Sequence, residues 1–538
     1  MTDYKALLLL TFLISVTTLP FIHRAYFVDD YYHVVVAKNL LSHPLRPYDF
    51  IADDELPKTK GWERGSLPRL VNPLVHHYLL AGVMKCVGED VWKLRLFMIF
   101  MGWITVCCTY VLGKRFSDHP LACASLVAIT PAFWLTSYSL LLDNTLLTFF
   151  MLSVYFWFKA VEKNQSVLFL LCGVFMAMTY LTKYTGALIV PVIFCAWYLS
   201  QTPKPTKGLL LSLGVSGVLV GGWGLWTWIL YGAPHFWVAS QRGIHLSHLN
   251  LHKALVTLSF LGGSFVFLFA SPVILWRQRR GMICLALVIL FIGLAMILNS
   301  RVGGFSAVQS ILFSFFVTTA FAFILHVSFD RTNLFLKLWF FLGLLSLFVV
   351  MPWTAARYYL LILPPSIWFF EKSLRAFPRW VWYATWVGTA CLGFFLAQAD
   401  YDQANTVLRL KDQITAQLPL LQNASPRANH HWYYLGDTFF GFEPYLAPLG
   451  FEAAFPNQVF KSGDLLLKAN YRMWSWWKIP NPERFEVGLY WRFGSHNPLR
   501  VMDIPSGAGF YASAWGAMPW TLTFEDPLER FDIYRVRT

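Results

Sequence analysis

Ala6-Leu7-Leu8-Leu9-Leu10 opens an apolar run that reaches Ile22, and Phe27-Val28-Asp29-Asp30-Tyr31-Tyr32-His33 follows it. Lys5 precedes the run and no small-residue cleavage site follows it, so it reads as an uncleaved first membrane span rather than a signal peptide. An acid pair in contact with lipid is costly, so Asp29 and Asp30 are expected to face a wet cavity at the membrane edge. Beyond them Tyr32, Val35, Val36 and Leu40 recur at helical spacing. Carboxylates favour a helix N-terminus, so capping alone is the other reading of the pair.

The rest of the chain repeats this theme. Of 538 residues, 57% are apolar and only 13% charged. Water-soluble proteins average about 25% charged residues, which excludes an ordinary soluble enzyme, and the apolar content excludes a disordered chain. About thirteen apolar runs approach the roughly 20 residues that span a bilayer. After the first they fall near 91–112, 120–138, 144–160, 166–182, 186–200, 208–230, 254–276, 282–299, 307–326, 334–352, 358–371 and 380–399.

Net charge is +14. The basic residues follow every second run: Lys114-Arg115, Lys159 and Lys163, Lys204 and Lys207, Arg277 with Arg279 and Arg280, Arg331 with Lys337, then Lys372, Arg375 and Arg379. This is the signature of cytoplasmic loops, and it needs no nucleic acid as partner. It places the N-terminus inside and the C-terminus outside. Eight cysteines are scattered in or beside apolar runs without paired spacing, so neither a disulfide framework nor a zinc site is supported.

The expected organisation is a polytopic α-helical domain over 1–399 and a small extracytoplasmic α/β domain over 400–538. The outer loop 24–90 carries amphipathic helices. In the tail, Leu465-Leu466-Leu467 reads as a short buried strand and 531–536 as a half-buried one.

Other ionisable residues sit at outward span ends. Asp143 begins an almost wholly apolar run, where an N-cap is the alternative to chemistry. Lys183 and Arg357 lie where topology does not favour positive charge. A phosphate would want such partners, while snorkelling to headgroups is the bland account. His76 and His77 lack a spaced third metal ligand. His245, His248 and His252 share a helical face that suits either a metal or an interfacial helix. Trp474, Trp476 and Trp477 could stack on a sugar or sit at the interface.

Five pieces in order resemble the GT-C class of membrane glycosyltransferases, in particular its protein O-mannosyltransferase and lipid A aminoarabinose-transferase branch. They are Asp29-Asp30-Tyr31-Tyr32, Asn72-Pro73-Leu74 through Ala81, Tyr138 through Asp143 to Phe150, Leu181-Thr182-Lys183-Tyr184, and Ala356-Arg357-Tyr358-Tyr359-Leu360 to Pro365. Asp30 stands where Glu is more familiar, and Pro73 where two prolines are common. The tail is similar to C-terminal domains of bacterial members through Gly436-Asp437 to Tyr445, Gly463-Asp464-Leu465 and Gly509-Phe510-Tyr511 to Gly516.

The resemblance implies a bacterial inner-membrane enzyme with a GT-C-like fold. It would transfer a sugar, with inversion, from a polyprenyl-phosphate donor to a lipid, glycan or protein acceptor at the outer face. Asp29, Asp30 and Asp143 are then the expected catalytic carboxylates, with Asp29 the base. Lys183 and Arg357 would hold the donor phosphate. Tyr32, His33 and His77 are the expected sugar- and acceptor-binding side chains. Asp143 would orient the acceptor or, if a divalent ion such as Mg or Mn is used, hold it. A flippase of lipid-linked glycans would instead carry midplane charges and often inverted repeats, and the sequence has neither. A polymerase or ligase using a whole glycan is not separable by sequence.

Overall fold

The computed structural model describes residues 2–48, 72–200, 203–240, 249–277, 281–299, 305–329, 333–375, 377–427, 429–435, 441–454, 459–471, 482–524 and 527–537. His245, His248, the tryptophans at 474–477, the Gly436-Asp437 motif, Arg279, Arg280 and Arg331 lie outside these residues.

Among the described residues, six helices are long and apolar enough to cross a membrane: Asp3–Phe21, Val91–Phe116, Leu142–Lys163, Thr206–Tyr231, Ala307–Phe329 and Arg379–Ala416. Two more spans are bent pairs, Pro120–Ile129 with Pro131–Ser137 at 66° and Leu251–Ser264 with Val266–Arg277 at 96°. Ser166–Thr182, Tyr184–Tyr198, Leu285–Asn299 and Leu334–Val350 are shorter apolar helices. The architecture is the expected polytopic helical one, although several of the thirteen runs form helices too short or too bent to count as full spans.

Both bends have local causes. Pro131 lacks an N–H and its ring clashes with the preceding turn, so the helix ends at Ile129 and restarts. The second follows Gly262-Gly263, weak helix formers. There the freed carbonyl of Gly263 accepts a hydrogen bond from Trp520 Nε1 at 2.7 Å, so the C-terminal part of the chain satisfies a break in the membrane part.

The charges sort to two ends of the helical body. At one end Lys114 pairs with Asp3 at 2.5 Å, Arg375 pairs with Asp118 and Glu371, and Arg115 lies over Phe158. At the other end lie Asp29, Asp143, Lys183 and Arg357.

Helix Arg379–Ala404 runs past residue 399, where lipid-compatible sequence stops, and its final turns bury Asp400, Gln403 and Ala404. Helix Thr406–Ala416 follows, with Val407, Leu410 and Ile414 on one buried face. That face packs on a five-stranded sheet. The strands are β1 (Trp432–Leu435), β2 (Phe451–Ala454), β3 (Leu465–Ala469), β4 (Phe485–Phe493) and β5 (Glu529–Val536), in spatial order β2-β1-β3-β5-β4. β1 runs parallel to β2 and β3, and β5 runs antiparallel to β3 and β4. Leu465–Leu467 form the buried strand expected. The 531–536 segment is more deeply covered than its alternation suggests, because it lies between two strands. The stretch 499–522 leaves this domain. Its Leu499, Val501, Phe510, Tyr511, Met518 and Trp520 join the hydrophobic core of the helical body.

Candidate active site

Four separate chain breaks bring the site together. Asp29 sits at the N-cap of helix Asp30–Ser42 but makes no capping hydrogen bond. Val28 before it has φ +52°, a left-handed conformation that a β-branched residue rarely adopts. Such strain persists only where the surroundings hold it, and it aims the Asp29 carboxylate away from its own helix. Asp143 lies in the first turn of helix Leu142–Lys163, whose N-cap is Leu141, so it is not the cap either. Lys183 is the extended residue (φ −157°) that ends helix Ser166–Thr182. Arg357 is the second residue of the short 3-10 segment Ala356–Ile362, between two pieces of apolar helix.

The four side chains meet. Lys183 Nζ lies 2.6 Å from Asp143 Oδ1, and Arg357 Nε lies 3.6 Å from Asp143 Oδ2. Arg357 Nη2 donates to Asp29 Oδ2 at 2.9 Å. Side-chain exposure falls from 25% at Asp29 to 11% at Arg357, 10% at Lys183 and 3% at Asp143. Lys183 Nζ also rests 4.2 Å from the centre of the Tyr358 ring, a cation–π contact. Asp143, Lys183 and Arg357 form the polar end of a narrow crevice with a cavity volume of about 20 Å³. Its walls are apolar and include Leu146, Leu188, Leu347 and Met351. A charged end on an apolar groove suits a ligand with an anionic head and a hydrocarbon tail.

Asp30 is not part of this group. It faces the interior, where Arg95 Nη2 lies 3.0 Å from its Oδ2 and the Leu140 N–H donates to its Oδ1 at 2.8 Å. Arg24 Nη1 is 3.9 Å away, and Arg24 Nε lies 3.1 Å from Asp400 Oδ2. Tyr138 and Tyr511 donate to the Asp400 carboxylate at 3.1 and 2.8 Å. Arg95 also donates to the carbonyls of Tyr138 and Ala25. All four charges are fully buried and paired, as burial requires. Arg24, Arg95 and Asp400 escaped the sequence reading, and Tyr511 entered it only as part of the tail resemblance. The signal for Arg95 was present: a second basic residue within the first turns of an apolar run.

His33, His76 and His77 gather beside the ion pairs. His33 Nδ1 lies 2.9 Å from His77 Nε2, so one ring donates and the other accepts. His76 Nε2 donates to the Leu140 carbonyl at 2.9 Å, and its Nδ1, 3.0 Å from the Thr145 hydroxyl, accepts. That tautomer is neutral. Burial takes His76 down to about 4. Burial also holds His33 and His77 well below the usual imidazole value; for His33 the nearby His77, His76, Arg357 and Lys183 add to the shift. Tyr32 packs edge-on against His33 and His77, at 5.5 and 6.4 Å between ring centres.

No group of three His, Cys, Asp or Glu able to hold a metal ion occurs among the described residues. Asp143 is flanked by two cations, and their charge opposes a divalent ion at the same carboxylate.

Residues 71–226 match the sequence model of the dolichyl-phosphate-mannose-protein mannosyltransferase family. The resembling pieces at 72–81, 138–150 and 181–184 lie inside that match, and those at 29–32 and 356–365 outside it. An uncharacterised protein of Aquifex aeolicus is 24% identical over 224 residues, 39% of this chain and 45% of that protein. The chain thus spans under half the length of that curated relative. Among solved structures, apo ArnT from Cupriavidus metallidurans is 14% identical, with 86% of this chain and 92% of that one covered and a TM-score of 0.40. The Archaeoglobus fulgidus oligosaccharyltransferase is also 14% identical, with 82% and 61% covered and a TM-score of 0.43. Over residues 71–226, then, the chain carries the sequence pattern of the mannosyltransferase family that its span-end motifs resemble.

Proposed function

We propose that the chain is an inverting glycosyltransferase that moves a sugar from a polyprenyl-phosphate donor to an acceptor at the outer face of a bacterial inner membrane. One observation carries the reading: Asp143, Lys183 and Arg357, scattered over the sequence, converge at the charged end of an apolar crevice, and Asp29 pairs with Arg357 beside it. The charged end of the donor would lie against Lys183 and Arg357, with its hydrocarbon chain along the apolar walls.

Asp29, the most exposed of the four, accepts the proton of the acceptor hydroxyl as that oxygen attacks the anomeric carbon. The bond from that carbon to the phosphate oxygen breaks, and the electron pair leaves with the polyprenyl phosphate. Lys183 and Arg357 stabilise the charge that develops there. Asp143 holds both cations in place. His33, His77 and Tyr32 are assigned to the sugar and acceptor. The basic end of the bundle faces the cytoplasm and the α/β domain the periplasm.

The test is a transfer assay in liposomes with labelled polyprenyl-phosphate monosaccharides and membrane extract as acceptor. Label should pass from one donor into product, and Asp29→Asn should lose roughly 10²–10⁴-fold in rate while expressing normally. Full activity in Asp29→Asn would remove the base assignment. Passage of intact donor across the bilayer, with no transfer in either protein, would replace the enzyme with a transporter.

A further inference from the structure

The segment Phe510–Ser513 belongs to the C-terminal part of the chain, yet it touches the supports of both partners in the Asp29–Arg357 pair. On the Arg357 side the Ala356 N–H donates to the Phe510 carbonyl at 2.9 Å. Ser513 N–H donates to the Thr354 carbonyl at 2.6 Å, and the Thr354 N–H donates back to Ser513 Oγ at 3.0 Å. The backbone just before Arg357 is therefore held along one edge by a single segment, as in a strand pair.

On the Asp29 side the Tyr511 ring stands edge-on to Phe27, 5.8 Å between centres and 82° between planes. Its hydroxyl donates to Asp400 at 2.8 Å and accepts from Arg24 at 3.3 Å. Arg24 in turn lies against Asp400 and Asp30. Phe27 and Asp30 bracket Val28 and Asp29, and Val28 carries the strained φ. A strained turn relaxes unless both its neighbours are fixed. Phe27 is fixed by Tyr511, and Asp30 by Arg95 and Arg24.

We propose that Tyr511 and Ser513 are positioning residues. The C-terminal part is then a strut that sets the distance between Asp29 and Arg357, and not a separate binding module. Tyr511 acts through the 27–30 turn on Asp29, and Ser513 acts through Thr354 on Arg357. The kinetic part of this inference rests on the transferase reading above.

Two substitutions separate the routes. Tyr511→Phe keeps the ring and removes the hydroxyl; it should lower kcat by about tenfold or more and leave the donor KM within about twofold. Ser513→Ala, at a half-buried site, should raise the donor KM by about fivefold and leave kcat within about twofold. A merely structural role would move kcat and the active fraction together in both variants, and that result, or wild-type kinetics in both, would overturn the proposal. A second measurement needs no turnover. In a chain with its native cysteines replaced, Asp29→Cys combined with Arg357→Cys should be cross-linked efficiently by a short bifunctional thiol reagent. Adding Tyr511→Phe should cut that yield severalfold; an unchanged yield would overturn the strut even in a protein that transferred no sugar. Conversely, a reduced yield in a protein without transfer would retire the enzyme reading and keep the strut.

Discussion

Arg357 reaches Asp29 across 328 residues of sequence, and the same guanidinium turns its Nε toward Asp143 at 3.6 Å. A planar fork faces two carboxylates at fixed angles, whereas an ammonium is a point charge on a flexible stem without that geometry. Arg357→Ala should therefore reduce donor use by about a hundredfold and Arg357→Lys by about tenfold. Initial rates against donor concentration check this. Equal losses in the two variants would argue against the fork.

The buried charges near Asp30 make a folding prediction. Arg95→Met leaves Asp30 without its nearest cation in a site closed to water. Breaking a buried pair from one side costs about 3–5 kcal/mol. Removing both partners with Arg95→Met and Asp30→Leu should restore part of that loss. Thermal melting in detergent measures it, and a double variant as weak as the sum of its singles would mean that the pair is uncoupled.

The histidine cluster predicts a pH dependence. His33, His76 and His77 bind protons less readily folded than unfolded, because burial disfavours the charged ring. Below the unfolded value of about 6.5 the unfolded chain therefore holds more protons, and stability falls as pH falls. For His76 the loss runs from about 6.5 down to about 4. The melting temperature should be flat from neutral pH upward and drop through this window. His76→Gln should flatten the drop, and an unchanged profile in that variant would remove His76 from the explanation.

Helix packing makes a sharper pair of predictions. A Cβ on Gly262 would overlap the carbonyl oxygen of Phe316 on helix Ala307–Phe329. A Cβ on Gly214 would meet nothing within 4 Å. Gly262→Ala should lower the melting temperature by several degrees, while Gly214→Ala should hold or raise it, since alanine favours a helix by about 1 kcal/mol. Matched effects would mean that the two helices are not in close contact.

Asp29, Asp143, Lys183 and Arg357 were each legible in the sequence, because an ionisable residue at the end of an apolar run needs a reason. Their meeting was not, since no local pattern links positions 29 and 357. Asp29 and Asp30 looked equivalent as neighbours, but successive residues at a helix start point in different directions. One therefore reaches Arg357 while the other reaches Arg95. Arg95 was readable and overlooked. Asp400 was hidden because it follows an apolar run inside a helix that continues beyond it to Ala404. The bend at Pro131 is plain from the proline. The bend after Gly263 depends on Trp520, which lies 257 residues away.

The contact between Arg24 and Tyr511 joins residues 487 positions apart. Chains grow at about 5–20 residues per second, so Tyr511 is made roughly half a minute to a minute and a half after Arg24. Asp400, the other main partner of Arg24, is itself a late product of synthesis. Through that interval the arginine behind the first span waits without its final neighbours. The gap beside Gly263 stays open until Trp520, 257 residues further on, has been made. The last element to close the helical body is thus made long after the helices it joins, and the body is complete only once that distant segment docks.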